Sequence, residues 1–342
     1  MTSNMNSTKQ SAITAQTLGY LNYLDAATQS SLYRNGKVLT RRDRDGSDAG
    51  SEGLDRQKYE MSIANARELI GEARRTLTRN GFELLSRPLN GAAHDSARGT
   101  AIDFHDQQQI VQTYYGQCAQ IVQAHTGAQA FAFDHNVRSA SGKQAKQRIA
   151  GGQQVQGPAH MVHGDYTLTS APQRLRDLTK PPTGNDTLRA FLRDQQSLLS
   201  PQLTERALAP GGRFAIINLW RSIAAEPVAT HPLALCDAQS VLSNDLVVFE
   251  IHYQDRVGEN YFAKHSPQHQ WFYYPLMTRD EALLIKQWDS AGTMAQSQGR
   301  DSDNVNPLAP STFSFHSAFI DPATPPDAPD RWSIEVRCMV IF

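Results

Sequence analysis

The sequence predicts an α+β fold in which helices come first and an antiparallel sandwich or barrel follows. Two observations predict it. Before residue 128, apolar side chains recur at helical spacing in two long segments, whereas after it short apolar or β-branched runs alternate with turn residues. Helices followed by many short strands are typical of an α+β chain built on an antiparallel sandwich or barrel.

Two long helices are expected in the N-terminal part of the chain. The segments 55–80 and 103–126 both carry apolar residues three and four positions apart, and a glycine follows each segment directly. Glycine just past the last periodic residue is a common helix stop. Two shorter helical inserts are expected later, over 186–198 and over 279–288, and a capping box marks the start of the second.

Strand-like runs fill most of the sequence after residue 128, each bounded by turn-forming residues. We therefore divide the chain into a disordered tail, residues 1–16, and a single domain, residues 17–342. Within this domain the part 17–128 is expected to be mainly helical, and the part 129–342 is expected to hold the strand-rich core with its helical inserts. The expected strands are 130–137, 161–167, 213–220, 246–253, 270–274, 312–320 and 332–342.

Composition excludes several classes of protein. The 33 basic and 34 acidic residues give a net charge of −1, so neither nucleic acid nor an anionic membrane surface is an expected partner. No apolar run approaches the roughly 20 residues that cross a bilayer, and the polar first segment predicts no signal peptide. Three scattered cysteines without a CxxC pair argue against a disulfide scaffold. A reducing cytoplasm is the expected location.

His163 and Asp165 form the most informative pair of polar residues. They lie two positions apart in the strand-like run 161–167, so their side chains are expected on one face of a strand. A neutral imidazole and a carboxylate supply two ligands of the two-histidine, one-carboxylate triad that suits non-haem Fe(II). Taken alone, the pair equally fits a histidine that is simply paired with a carboxylate at the edge of the core.

A third candidate ligand and a carboxylate-binding group follow further along the chain. His316 lies in the run 312–320, and the next run carries Arg331, Ser333 and Arg337 on one face. A guanidinium beside a hydroxyl suits the charge-assisted binding of a dicarboxylate such as 2-oxoglutarate. The order HxD, distal His, Arg-x-Ser is that of iron- and 2-oxoglutarate-dependent oxygenases. Their core is a double-stranded β-helix, or jelly roll, so we expect a jelly-roll core with an N-terminal helical elaboration.

Several longer motifs resemble a known family. They are the segments 133–138 (FDHNVR), 163–167 (HGDYT), 213–237, 258–290 (which includes WFYYPLMTRDEALLIKQWDS) and 315–337. Together they resemble the hydroxylase/desaturase family of fungal and bacterial secondary metabolism, which is related to gibberellin desaturase and to the cephamycin 7-methoxylation protein. The resemblance extends over roughly three-quarters of the chain, from about residue 80 to its last residue.

The resemblance implies a mononuclear iron enzyme that uses 2-oxoglutarate and O₂. Such an enzyme hydroxylates or desaturates an unactivated C–H position of a small secondary metabolite or amino-acid-derived substrate, and the expected pocket walls predict that this substrate is largely apolar. The metal positions of the family match His163, Asp165 and His316. The co-substrate arginine matches Arg331, to which the residue pattern adds Ser333 as support and Arg337 as an alternative.

Further residues are expected around this centre. Tyr166 follows the ligand pair and Arg138 ends a strand-like run, and we assign both to catalytic positions. Gly164 stands between the first two ligands where the family is expected to carry a larger residue, which predicts extra room near the metal. The polar segment 291–310 is expected to be a mobile cover. The expected pocket walls are Trp220, Arg221, Phe272, Tyr274 and Phe315.

Two other functions remain open at this point. A jelly-roll metal enzyme that uses no 2-oxoglutarate would not need the pair Arg331 and Ser333. A non-catalytic accessory protein of a biosynthetic pathway would have no reason to keep three metal ligands. Both features are present in the sequence, so the oxygenase is favoured over either alternative.

Overall fold

The computed structural model of this chain describes residues 15–41, 56–89, 102–184, 186–253 and 256–342. Of the expected tail, residues 1–14 lie outside the described residues. The strands are β1 (Gln16–Leu24), β2 (Val38–Arg41), β3 (Arg56–Asn65), β4 (Phe82–Ser86), β5 (Gln129–Arg138), β6 (His163–Gly164), β7 (Phe214–Ser222), β8 (Leu233–Cys236), β9 (Leu246–His252), β10 (Val257–Ala263), β11 (Trp271–Tyr273), β12 (Glu281–Asp289), β13 (His316–Ala318) and β14 (Ser333–Ile341). The α-helices are α1 (Leu77–Asn80), α2 (Gln107–Gln109), α3 (Tyr115–Thr126), α4 (Ala140–Gln144), α5 (Ser170–Asp177), α6 (Pro201–Leu208) and α7 (Thr293–Gln296).

The strands form two sheets. The larger has nine strands in the order β1-β3-β11-β8-β13-β6-β10-β9-β2, and the smaller has five in the order β4-β12-β7-β14-β5. The main hydrophobic cluster takes side chains from both sheets, for example Ile63 and Val248 from the larger and Ile216 and Val336 from the smaller. The core therefore lies between two mainly antiparallel sheets, as expected for a jelly roll.

The predicted helix over 55–80 is wrong. Residues 56–65 form β3, which pairs antiparallel with β1 over nine residues. Met61 and Ile63 are buried while the residues between and beside them are exposed or half-buried, which is the period of two that a strand requires. Ile70, which the helical spacing would have buried, is 81% exposed. The pairing with β1 joins segments far apart in sequence, so spacing within 55–80 did not reveal it.

The predicted helical insert over 279–288 is also wrong, because these residues form most of β12 between β4 and β7. The capping contact exists: the backbone N–H of Thr278 donates to Oε2 of Glu281 at 2.9 Å. This hydrogen bond closes a turn that precedes a strand, not a helix. The run Ala282–Ile285 is buried throughout, and a continuous apolar run of this length does not distinguish a buried strand from a helix. Over 186–198 the structure has one short 3-10 turn, Thr187–Ala190.

The helix predicted over 103–126 is present from Gln107 to Thr126. It starts with α2, continues through a π-helical turn at Ile110–Tyr114 and runs on as α3. Gly127 ends it with φ of +70°, a conformation that glycine adopts without strain. The expectation that 17–128 is mainly helical is nevertheless incorrect for the described residues, since β1, β2, β3 and β4 all lie there. The N-terminal part contributes strands to both sheets.

His269 belongs to a buried hydrogen-bonded network of the larger sheet. Its Nδ1 lies 3.0 Å from the hydroxyl of Tyr23, and its Nε2 lies 3.2 Å from Oδ2 of Asp245. The indole N–H of Trp271 donates to the same hydroxyl at 2.7 Å. A buried polar network of this kind is stabilising when every member has a partner and costly when one is removed.

We expect His269→Ala to lower the free energy of unfolding by about 2–4 kcal/mol, because it leaves a buried hydroxyl and a carboxylate short of one partner. Chemical denaturation measures this change. His265→Ala is the control: this imidazole stacks on Tyr59 and packs edge-on against Tyr23, but it takes no part in the hydrogen bonds named above, so its loss should cost much less. Equal losses in the two variants would contradict the assignment.

Candidate metal centre and active site

Strands β6 and β13 bring His163, Asp165 and His316 together. The two strands pair antiparallel with His163 directly opposite His316, and Asp165 follows β6 one residue later. One possible ligand atom from each of the three side chains lies within 4.8 Å of the other two. Residues 151 positions apart in the chain thus converge, as the order of motifs predicts.

His163 is oriented for metal binding by its own backbone. Its Nδ1–H donates to the carbonyl of Met161 at 2.7 Å, which leaves Nε2 as the unprotonated nitrogen. This Nε2 lies 3.6 Å from Oδ1 of Asp165. Burial, reinforced by the neighbouring His316, lowers the pKa of His163 to about 4. The ring is therefore neutral at physiological pH, the form that a metal binds.

The other two members of the set are also in their metal-binding forms. Burial lowers the pKa of His316. Burial by itself would raise the pKa of Asp165, but the charge of Arg337, with smaller contributions from His316 and His163, holds it well below its usual range. Two neutral imidazoles and one carboxylate are the donor set that suits Fe(II) with open positions. The residues present therefore fit this metal.

Arg331 and Ser333 form a buried group with two unsatisfied hydrogen-bond donors. Arg331 is 2% exposed, and its Nη1 donates to the carbonyl of His231. Among the described residues, neither its Nε nor the hydroxyl of Ser333 has a hydrogen-bond partner. Burial and the charge of Arg138 lower the pKa of Arg331 to about 9. A carboxylate placed here would satisfy both orphaned donors and the charge, so the pair fits a co-substrate carboxylate.

Arg138 connects this group with the three candidate ligands. Its Nη1 donates to the carbonyl of Gly157 at 3.0 Å, and it lies directly opposite Ser333 where β5 pairs with β14. The charge of Arg138 lowers the pKa values of His163, His316 and Arg331. All of these groups therefore occupy one electrostatic neighbourhood.

Arg337 has a different environment from Arg331. It donates from Nε to Asp165 at 3.2 Å and from Nη1 to Asp134 at 3.1 Å, and its Nη2 reaches Glu335 at 3.1 Å. Its guanidinium is thus already surrounded by three carboxylates. This arrangement favours Arg331 over Arg337 as the arginine that meets the co-substrate.

A cavity of about 470 Å³ opens onto the candidate metal centre. His163 and Asp165 lie at its wall together with Tyr166, a residue assigned to a catalytic position from sequence, and Phe262. Burial raises the pKa of Tyr166, so its phenol is neutral. The cations that line the cavity are Arg34, Arg56, Arg138, Lys143, Arg174, Arg256 and Arg337.

Neither the expected pocket walls nor the pair Arg331 and Ser333 line this cavity. Trp220, Phe272 and Tyr274 pack together in a second hydrophobic cluster, and Phe315 is fully buried in the main one. Arg221 is 1% exposed and donates to the hydroxyl of Tyr114 and to two backbone carbonyls. A sequence pattern shows that these residues are buried, but it does not show whether they face a core or a cavity.

Gly164 and the segment 291–310 also differ from expectation. A Cβ atom at Gly164 would lie 3.2 Å from the ring of Phe313, so the space beside this glycine is filled by core. In the segment 291–310, the buried carboxylate of Asp303 accepts hydrogen bonds from the backbone N–H groups of Met294 and Thr312. None of its residues lines the cavity. Asp303 therefore anchors this segment, whereas Val305 and Leu308 are largely exposed, and no part of it covers the cavity.

Sequence reasoning missed several residues that touch the centre. Asn218 donates to Oδ2 of Asp165 at 3.1 Å, and Oε1 of Gln287 accepts from the backbone N–H of Asp165 at 3.1 Å. Asp134 and Asn136 contact Arg337. Alternation along β5 could have revealed the last two, because both share the face of Arg138. No local sequence pattern marked Gln287, because it lies in the segment 279–288 that was predicted to be helical.

A jelly roll that carries this donor set belongs to the non-haem iron oxygenases. A family model described as an oxidoreductase/YMDC permease-like domain matches residues 21–195 and 185–341, so the chain belongs to that family. It is 40% identical over 204 residues to an uncharacterized protein from the dcmA 3′ region of Methylophilus leisingeri, covering 59% of this chain and 89% of the relative.

Several relatives with assigned functions are fungal. An alpha-ketoglutarate-dependent dioxygenase, phiK, from a fungal species is 29% identical over 275 residues, 78% of this chain and 79% of the relative. The hydroxylase/desaturase poxK of Penicillium oxalicum is 31% identical over 178 residues, 46% of this chain and 50% of the relative. The predicted resemblance and the predicted class, an iron- and 2-oxoglutarate-dependent oxygenase, are confirmed.

Solved structures confirm the fold. The iron and alpha-ketoglutarate-dependent endoperoxidase NvfI superimposes with a TM-score of 0.67 at 20% identity, covering 95% of this chain and 98% of that structure. The jelly-roll core predicted from the motif order is therefore correct. Among the described residues, no helix is both long enough and apolar enough to cross a membrane.

Proposed function

We propose that His163, Asp165 and His316 hold Fe(II), and that Arg331 with Ser333 holds the distal carboxylate of 2-oxoglutarate. The enzyme then hydroxylates or desaturates an unactivated C–H position of a small molecule. One observation carries this proposal: three candidate ligand atoms lie within 4.8 Å of one another, and Arg138, whose charge acts on two of these ligands, also acts on a buried arginine with an unpartnered Nε. A metal enzyme without 2-oxoglutarate would have no use for the second feature.

When bound, iron with 2-oxoglutarate and O₂ supplies the oxidising power for breaking such a C–H bond. The protein residues do the positioning. His163 is fixed in one tautomer by the carbonyl of Met161, and Asp165 is kept anionic by Arg337. Arg331 and Arg138 concentrate positive charge where a dicarboxylate would lie, and burial strengthens that attraction because little water screens it.

The substrate that we propose is small and polar, the amino-acid-derived option of the two expected classes. Seven cationic side chains line the cavity against five carboxylates, and apolar contacts come from residues such as Ile251 and Phe262. This lining suits a compact molecule with an acidic or strongly polar group. It does not offer the extended apolar surface that a largely apolar substrate would need.

Succinate release tests this function. Purified protein supplied with Fe(II), 2-oxoglutarate and O₂ should form succinate faster when small-molecule fractions of a cell extract are added, and the acidic fraction should be the most effective. His163→Ala with the same fractions is the control and should show no stimulation. Stimulation by nucleic acid or folded protein, with none by any small-molecule fraction, would contradict the proposal.

We also propose that residues 17–342 act as one domain in a reducing cytoplasm. Two N-terminal strands support a single domain: β3 pairs with β11 in the larger sheet, and β4 pairs with β12 in the smaller one. Both sheets are therefore completed by strands from the N-terminal part. Support for the compartment comes from Cys118, Cys236 and Cys338, all buried and unpaired.

A further inference from the structure

The two carboxylate oxygens of Asp165 lie in different environments. Oδ2 accepts hydrogen bonds from Nε of Arg337 at 3.2 Å and from Nδ2 of Asn218 at 3.1 Å. Oδ1 is the oxygen that lies beside Nε2 of His163, at 3.6 Å. One oxygen is thus engaged by protein donors, and the other faces the remaining ligands.

Three groups that hydrogen-bond to Asp165 lie on the five-stranded sheet. This sheet contributes none of the three candidate ligands. Arg337 on β14 and Asn218 on β7 are direct cross-strand neighbours, so their donors approach Asp165 side by side. Gln287 on β12 accepts the backbone N–H of Asp165 at 3.1 Å. The five-stranded sheet therefore fixes both the side chain and the backbone of this residue from across the barrel.

Two irregularities of that sheet coincide with these contacts. The register between β12 and β7 shifts so that Gln287 has no partner on β7. The register between β14 and β5 shifts immediately after Arg337. Such bulges re-aim side chains and occur often next to active sites. Regular pairing would direct these side chains differently.

Arg337 is itself held in place. Its Nη1 donates to Oδ2 of Asp134 at 3.1 Å and to Oδ1 of Asn136 at 2.7 Å, and its Nη2 donates to Glu335 at 3.1 Å. Thr187 donates to the other oxygen of Asp134 at 2.7 Å. With its side chain 12% exposed and its guanidinium bound on three sides, Arg337 has little freedom to move away from Asp165.

We infer that Arg337 is a positioning residue that restricts Asp165 to binding the metal through one oxygen, Oδ1. This inference rests on the proposed function, in which Asp165 is a metal ligand. A carboxylate that used both oxygens would take up a coordination position that the co-substrate or O₂ needs. Partners around a ligating carboxylate typically contribute 10- to 100-fold to metal affinity.

Cobalt(II) is a suitable probe, because its visible absorption depends on coordination number and is independent of turnover. We expect Arg337→Met to weaken Co(II) and Fe(II) affinity by about 10- to 100-fold and to change the Co(II) absorption spectrum. Arg337→Lys should restore part of the affinity, since an ammonium keeps the charge without the planar fork. Thermal unfolding of each apo variant separates loss of stability from loss of metal geometry.

Arg213→Met is the matched control. Arg213 forms a two-point ion pair with Asp289, at 3.0 and 2.7 Å, away from the cavity, so this variant should lose stability and keep the wild-type Co(II) spectrum. If Arg337→Met does not fold, Asn218→Leu removes the second donor to Oδ2 without removing a charge, and it should produce a spectral change of the same kind.

The possible outcomes separate the two proposals. Wild-type affinity and spectrum in both Arg337→Met and Asn218→Leu would overturn the inference and leave the proposed metal site standing. Wild-type protein that binds neither Co(II) nor Fe(II) would overturn the proposed function, and the inference with it. A spectrum that changes in Arg337→Met and partly recovers in Arg337→Lys supports the positioning role.

Discussion

His163→Ala should abolish stoichiometric iron binding and, with it, succinate formation. The variant removes one of the three proposed protein ligands, so the loss of Fe(II) affinity should exceed the roughly 100-fold that an outer partner contributes. The pKa of His163, lowered to about 4 by burial and His316, means that the wild-type ring carries no competing proton at neutral pH. Elemental analysis after anaerobic loading with Fe(II) measures the stoichiometry.

Asp165→Asn provides a second version of this test. It keeps the shape of the side chain and removes the charge that pairs with Arg337, so iron affinity should fall strongly while the fold is retained. His252→Ala is a suitable control, because this histidine pairs with Glu250 on the larger sheet at 2.9 Å and is outside the ligand set. One equivalent of iron retained by a His163→Ala, His316→Ala double variant would refute the assignment.

Arg331→Ala should raise the dissociation constant for 2-oxoglutarate by roughly 30- to 1,000-fold, equivalent to about 2–4 kcal/mol for a charge-assisted contact in a dry site. The reason is structural: Arg331 is buried, and its Nε has no partner among the described residues. Arg331→Lys should recover only part of the affinity, because an ammonium does not reproduce the bidentate fork.

Anaerobic titration of 2-oxoglutarate into the Fe(II) protein, followed by its weak visible charge-transfer band, measures this constant. Ser333→Ala should give a smaller change in the same direction, since it removes one neutral donor. Iron stoichiometry should stay at the wild-type level in both variants, which separates loss of the co-substrate from loss of the metal. A titration curve for Arg331→Ala that matches wild type would mean that another cation, such as Arg138, holds the carboxylate.

The local sequence was sufficient for the parts of the site that lie on short motifs. His163 and Asp165 are two residues apart, and Arg331 and Ser333 are likewise, so the strand period predicted each pair on one face. In the structure Asp165 follows directly after β6, and Arg331 precedes β14 by two residues. The order of these motifs along the chain predicted the jelly roll. The strand over 130–137 and the strand over 332–342 also follow from local pattern and appear as β5 and β14.

Tertiary structure alone decided the features that depend on partners far away in the chain. The run Ala282–Ile285 is apolar and buried because β12 lies between β4 and β7, and the local run is equally compatible with a helix. Phe272 and Phe315 are buried, as their type predicts, yet they pack in core clusters instead of the cavity wall. Arg337 shares a strand face with Arg331, and only the approach of Asp165 and Asp134 gave it a different role. Local periodicity determines which side chains face inward. Whether an inward-facing side chain meets a cavity, the core or a charged group depends on the register between strands that are far apart in the sequence.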